Sequence, residues 1–431
     1  MNSSRNRSIL LAATLAAVLG RSLTGVTLVR AADWPMFRGP NGNGQTADAA
    51  PLHWSAEDNV LWATELPQPS NGSPIVVADR VFVTTSLDEL GKHRSLFCYD
   101  KASGEQRWVR TVDFGEEMPH HATNPHGSTT PASDGQRVVV WHASAGLYCY
   151  DMDGNELWSR DLGEFRHMWG YGSSPIIVDG RVILNTGPGA QPLVLALDAT
   201  NGNTLWQHEV AQTGNGERRD DEAPMGSWST PIVAHVAGKD QVIVMHTDHV
   251  AAYDPATGEV IWTCDGISHD RGDLAYSSAI VAGDVCFVTG GYKGPAMAIA
   301  LDGRGNVTDT HRRWRIEENP QNIGTGIFVD GYVYRPNAEA GKGLDCVDPA
   351  TGEIVWSERT PAAQWGSMVM ANGLLYVTDQ DGTTLVFRPN PTEYEEVARN
   401  PLGESSNSSP AVSDGQIFIR TATHLYCIGE K

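Results

Sequence analysis

One phrase recurs along this chain. Residues 251–262 read AAYDPATGEVIW, and close variants stand at 98–108 (CYDKASGEQRW), 196–206 (ALDATNGNTLW) and 346–356 (CVDPATGEIVW). The variant at 149–158 (CYDMDGNELW) is one residue shorter, and that at 300–314 (ALDGRGNVTDTHRRW) is longer. A repeat on this scale restricts the fold more than any bulk property. A unit too small to hide its own apolar faces is stable only when stacked on copies of itself.

Each phrase closes a longer unit. A Ser/Thr-Pro step or a relic of one comes first, followed by two apolar runs rich in Val and Ile around a turn, as in GSPIVVADRVFVTT from residue 72 and SSPIIVDGRVILNT from residue 173. Eight such units can be counted, at roughly fifty residues each, a propeller-blade period. Asp-Gly at 134–135, 179–180, 330–331 and 414–415 sits between the first two runs and marks a hairpin. A run of small residues makes a third strand, and the Trp-bearing segment a fourth. The expected fold is therefore all-β: an eight-bladed propeller of four-stranded antiparallel blades.

The phrase itself has a physical reading. The Asp254 carboxylate accepts backbone N–H groups in the turn, Pro255 presets φ, and Gly258 supplies the positive φ that closes the hairpin. Trp262 is wide enough to lie across the seam to the next unit, and Trp108, Trp158, Trp206, Trp314 and Trp356 are expected to do the same. The last unit holds three strands, whereas the segment NVLWATELP (59–67) is a spare strand with its own Trp62. That strand is expected to complete the eighth blade and remove an open edge.

Cys98, Cys149, Cys346 and Cys427 fall at one slot of the repeat, which elsewhere holds Ala196, Ala252 and Ala300. A slot shared by Cys and Ala is a small buried strand position, so these thiols are not expected to pair. Cys264 and Cys286 lie outside it and are the one pair left for a disulfide.

Ahead of the repeats, Arg5 and Arg7 precede the apolar run ILLAATLAAVL (9–19), and small residues gather at Ala31 and Ala32. Residues 1–32 read as a signal peptide and 33–431 as the propeller domain, which makes the protein exported, periplasmic or extracellular. Eleven apolar residues are too few to span a bilayer, so no transmembrane segment is expected after cleavage. Cys98 is the first cysteine, which leaves none for lipid attachment near the cut. The formal net charge of −21 argues against a nucleic-acid partner.

The unit DPATGEVIW resembles the pyrroloquinoline-quinone (PQQ)-like propeller repeat, with Ala252, Asp254, Thr257, Gly258 and Trp262 at the recurring positions. The opening WPMFRGPNGNG (34–44) and the close THLYCIGEK resemble exported propellers of planctomycete-type bacteria. In architecture the chain is similar to the outer-membrane protein assembly factors, which are eight-bladed scaffolds.

Loops leading into the first strand of each blade gather at one mouth of the channel and commonly carry function. Four of them are long. One holds His120, His121 and His126, which are either metal ligands or solvated loop residues. The second holds His167, Trp169 and Tyr171. The third carries ERRDDE (217–222), read as solvated, and Trp228. The fourth holds His269, Asp270, Asp273 and Tyr276. Asn322 and Trp365 come from shorter loops. These aromatics either stack on a planar or sugar-like ligand or plug the channel. The HTDH stretch (246–249) reads as a surface turn.

Two functions follow. The first is a non-catalytic binding or assembly scaffold whose channel mouth takes a protein or a glycan. The second is a PQQ-dependent quinoprotein dehydrogenase. In that family the quinone sits over a calcium ion, an adjacent Cys-Cys pair covers its face and an Asp acts as base. No Cys-Cys dipeptide occurs here, and Asp270, Asp273 and Asn322 are the candidate ligands. No Ser-His-Asp context and no phosphate loop is present.

Overall fold

The computed structural model describes residues 32–212, 214–339 and 341–430. The segment read as a signal peptide lies outside the described residues, apart from Ala32. Eight antiparallel sheets follow one another in chain order. Blade one is typical: Ile75–Val77, Arg80–Ser86, His93–Asp100 and Gln106–Asp113 form a meander from the axis outwards. Among the described residues the only helical turn is Ala143–Ala145. Blade eight takes Ala411–Ser413, Gln416–Arg420 and His424–Ile428 from the C-terminal end and Val60–Glu65 from the N-terminal end, with Trp62 opposite Cys427.

Local sequence explains the hairpins. Asp179-Gly180, Asp330-Gly331, Asn372-Gly373 and Asp414-Gly415 all adopt positive φ at both positions, the geometry that matches strand twist in a two-residue turn. Asp254 Oδ1 accepts the N–H groups of Ala256 and Thr257 at 2.8 and 3.0 Å, and Gly258 has φ +75°.

The glycine of the phrase has a second duty. A Cβ on Gly258 would sit 2.6 Å from the Trp206 ring of the preceding blade, and Gly104, Gly154, Gly202 and Gly352 stand equally close to Trp62, Trp108, Trp158 and Trp314. Each indole also donates to a carbonyl of the neighbouring turn: Trp62 to Lys101, Trp108 to Met152, Trp158 to Ala199, Trp206 to Pro255, Trp314 to Pro349 and Trp356 to Asn390, at 2.9–3.1 Å. An indole hides on the order of 200 Å², roughly 4–5 kcal/mol of transfer free energy. Turn and seam are therefore one device.

Trp262 departs from the pattern. Its Nε1 donates to Gln241 Oε1 in its own blade, because the longer fifth repeat sends Gly305–Asn306 back to pair with Trp262 and Thr263. The same insertion shifts the register. Ala298, not Ala300, faces Trp314, whereas Cys98, Cys149, Ala196, Ala252, Cys346 and Cys427 face their tryptophans as the repeat implies. All six cysteines are buried and free, Cys264 and Cys286 included. His246 also corrects the surface reading of its turn. It is buried and bonded through Nε2 to Tyr253 Oη at 2.9 Å, because Tyr253 from the next strand folds over it.

The Ser/Thr of each lead-in step builds a ring around the axis. The N–H groups of Ser73, Thr130, Ser174, Ser278, Thr325, Ser367 and Ser409 each bond the hydroxyl of the next blade's Ser or Thr at 2.9–3.1 Å. At the remaining junction Ser278 Oγ donates to the Thr230 carbonyl at 2.9 Å.

Candidate functional site

The ring forms the waist of a cavity of about 250 Å³ that opens among the lead-in loops. Its two ends differ. On the far side the segment after Asp33 enters the channel along the inner strands. Trp34 pairs with Val76 of blade one, and Ser133 of blade two donates to the Pro35 carbonyl at 2.8 Å. Three residues later Arg38 reaches the Thr325 and Gly326 carbonyls of blade six at 2.9 and 2.7 Å, and Gln45–Thr46 pairs with blade seven. Blades two and six are diametrically opposite in a wheel of eight, so residues 35–38 cross the axis. Phe37 lines the cavity at this crossing. Arg38 is buried with no carboxylate partner among the described residues, and desolvation holds its guanidinium down to about 9. The carbonyls of Gly42 and Asn43 complete its hydrogen bonding. The channel is thus a pit with one mouth.

The mouth is asymmetric. Trp169, Trp228, Tyr276 and Tyr292 pack together over blades three to five, with ring centroids 5.5–6.4 Å apart. Trp228 is fixed by a hydrogen bond from Nε1 to the Gly170 carbonyl at 3.0 Å, and a short parallel ladder of Met225–Ser227 with Asp273–Ala275 braces the two loops beneath. Burial pushes the Tyr276 phenol well above its ordinary range, so it stays neutral. The opposite wall is amide-rich. Asn71 Nδ2 donates to the Thr123 carbonyl at 2.8 Å and Asn124 Nδ2 to the Trp169 carbonyl at 2.8 Å, and Asn407 Nδ2 also reaches Thr123 O, at 3.2 Å. Gln321, Ile323 and Trp365 complete the rim. None of the lining residues is Asp, Glu, Lys or Arg.

The structure divides the residues singled out from sequence. His121, Trp169, Trp228, Tyr276 and Trp365 line the cavity. His120 is exposed, its ring 4.4 Å from that of His126. His126 is buried beneath Gly91, and desolvation, with Arg94 and His120 adding to it, holds its imidazole down to about 4. His121 Nδ1 is taken by Thr123 Oγ1 at 2.8 Å. Among the described residues no group of three His, Cys, Asp or Glu side chains is placed to hold a metal ion. His167 is buried under the Trp pair. Its Nδ1 accepts the Trp169 N–H, so Nε2 carries the proton given to the Met225 carbonyl at 2.9 Å, and burial lowers its pKa. Tyr171 is buried, accepting the Gly127 N–H, and Arg94 lies over its ring. His269 Nδ1 accepts the Arg271 N–H, and Asp270 is exposed outside the cavity.

Sequence reasoning missed Phe37, Asn71, Asn124, Asn407 and Tyr292. Tyr292 sits in a strand-to-strand loop rather than a lead-in loop, and Phe37 belongs to a segment outside the repeat.

A calcium-bound quinone does not fit these donors. Calcium takes six to eight oxygens, carboxylates among them, and the quinone's own carboxylates need cations. Asp273 is tied to Arg219 at 2.8 Å, and Asn322 is buried between Asn319 and the Pro336 carbonyl.

The profile of the family described as outer membrane protein assembly factor BamB matches residues 92–358 and 340–428. The chain belongs to this family. A curated BamB from Yersinia pestis is 25% identical over 273 residues, 60% of this chain, and the match spans only 63% of that protein's length. The crystal structure of BamB from Moraxella catarrhalis superposes with a TM-score of 0.61 at 16% identity, covering 86% of this chain and 99% of that one. Quinohemoprotein alcohol dehydrogenase from Comamonas testosteroni superposes at 0.68 with 14% identity, over 93% of this chain and 81% of that one. At these identities the two solved structures share the propeller fold with this chain, and a propeller does not by itself fix the chemistry of its site.

Proposed function

We propose that the protein is an exported, non-catalytic binding scaffold whose channel mouth recognises a protein or a glycan. The observation that carries this is the pit lining: aromatic on one wall and largely amide and hydroxyl elsewhere, with no Asp, Glu, Lys or Arg and a single imidazole, that of His121. Membership of the BamB family supports an assembly or binding role. The charged run before the apolar stretch at 9–19 supports export.

The competing reading is tested directly. Purified protein is mixed with the quinone and calcium, desalted, and assayed for cofactor absorbance and dye-linked alcohol oxidation. Neither signal is expected. Sustained oxidation would replace the scaffold with an enzyme. Mass spectrometry of protein from the culture envelope should find a new N-terminus near Ala31 or Ala32, and an intact Met1 would remove the export assignment.

A further inference from the structure

The mouth is shaped for one class of ligand. Four aromatic rings form a continuous wall, and the facing wall is polar, of amides and hydroxyls with His121, and holds no Asp, Glu, Lys or Arg. Among the described residues no protein acceptor takes Trp169 Nε1, Trp365 Nε1, Tyr276 Oη or Tyr292 Oη, so four cavity-lining side chains keep a donor with free hydrogen-bonding capacity. Half-buried and exposed rings that hold such donors beside an apolar wall are placed to bind a molecule with one apolar face and hydroxyl edges.

Two further features narrow the class. The crossing of residues 35–38 blocks the far end, so a polymer cannot thread through and only an end enters. A peptide terminus brings an ammonium or carboxylate, and the pit lining holds no Asp, Glu, Lys or Arg to counter it. Acidic sugars meet the same lack of cations, together with the repulsion of a chain of net charge −21.

We propose that the pit takes the end of an uncharged glycan chain, stacked on the Trp169–Trp228 wall, with its terminal sugar above the ring of hydroxyls. This rests on the scaffold reading of the same mouth and names its ligand. Titration of the purified protein with maltohexaose, cellohexaose and N-acetylated chitohexaose tests it, followed by tryptophan fluorescence and calorimetry. At least one is expected to bind saturably, and hexagalacturonic acid at least tenfold more weakly. Trp169→Ala and Tyr292→Ala should each cost tenfold or more in affinity with an unchanged melting temperature. Trp169 is half-buried and Tyr292 exposed, so one variant stands if the other disturbs the loops. With a longer polymer of the bound sugar, stoichiometry should follow the number of chains rather than the number of residues.

The proposal is overturned if none of the three binds, if the acidic hexamer binds as well, or if stoichiometry counts internal residues. The scaffold reading fails separately, on quinone-dependent oxidation. Binding of peptides at the mouth, lost in Trp169→Ala, with no binding of sugars would leave the scaffold and remove the glycan.

Discussion

Ser409 of blade eight donates its backbone N–H to Ser73 Oγ of blade one at 3.1 Å, across 336 residues of chain. The same seam is crossed by Lys101, whose Nζ lies 2.6 Å from Asp414 Oδ2, and by Arg420, which donates to the Thr84 and Gly72 carbonyls. A buried N–H deprived of its acceptor costs about 1–3 kcal/mol. Ser73→Ala should therefore lower stability in urea unfolding by about that amount, with little change in far-ultraviolet circular dichroism. An unchanged midpoint would mean that water takes over the bond.

Gly258 and Gly283 separate two effects of a side chain. Both have positive φ, but a Cβ on Gly283 meets open space, while one on Gly258 meets the Trp206 ring at 2.6 Å. Gly283→Ala should cost about 1 kcal/mol from backbone strain alone. Gly258→Ala should cost about 3 kcal/mol or more, since the seam must also open. Equal losses in thermal unfolding would deny the Trp206 contact its role.

Three buried histidines set an acid limit. Burial holds His246 and His142 down to about 3 and His126 to about 4, against 6.5 for the free side chain. The unfolded chain binds these protons from about pH 6.5 downwards, while the folded chain stays neutral, so stability is full above pH 7 and falls between about 6.5 and 3. Both ring nitrogens of His142 are buried without a partner among the described residues. His142→Phe should flatten the melting temperature against pH over that window without lowering it at pH 7.5.

Arg38 holds the channel crossing. Replacing it with Met leaves the Thr325 and Gly326 carbonyls without their donor. Amide exchange in residues 34–44 should then rise at least tenfold, with exchange in the blade cores unchanged. Protection that persists would assign the crossing to Trp34 and Phe37 instead.

The wheel was legible because its constraints are local and repeated. The Asp, Gly and Trp of the phrases serve one turn and one seam each, Trp262 excepted, so their spacing survives in sequence. The fifth repeat misled at Ala300 because an insertion displaced the bulge, and Gly305–Asn306 left its own blade. The mouth was half legible: lead-in loops rich in Trp are visible as such, but burial of His126, His167 and Tyr171 is set by what covers them. The crossing was illegible. Arg38 meets its partners 287 residues away, with no periodicity to announce it.

Pairing of Val60–Glu65 with His424–Ile428 makes the fold a check on its own completeness. An early-synthesised strand waits for a partner made several hundred residues later. A product interrupted before His424 keeps bare ladder edges at both extremities and invites aggregation or proteolysis. Once His424–Ile428 is in place, one strand covers the open edges of Val60–Glu65 and Gln416–Arg420 together.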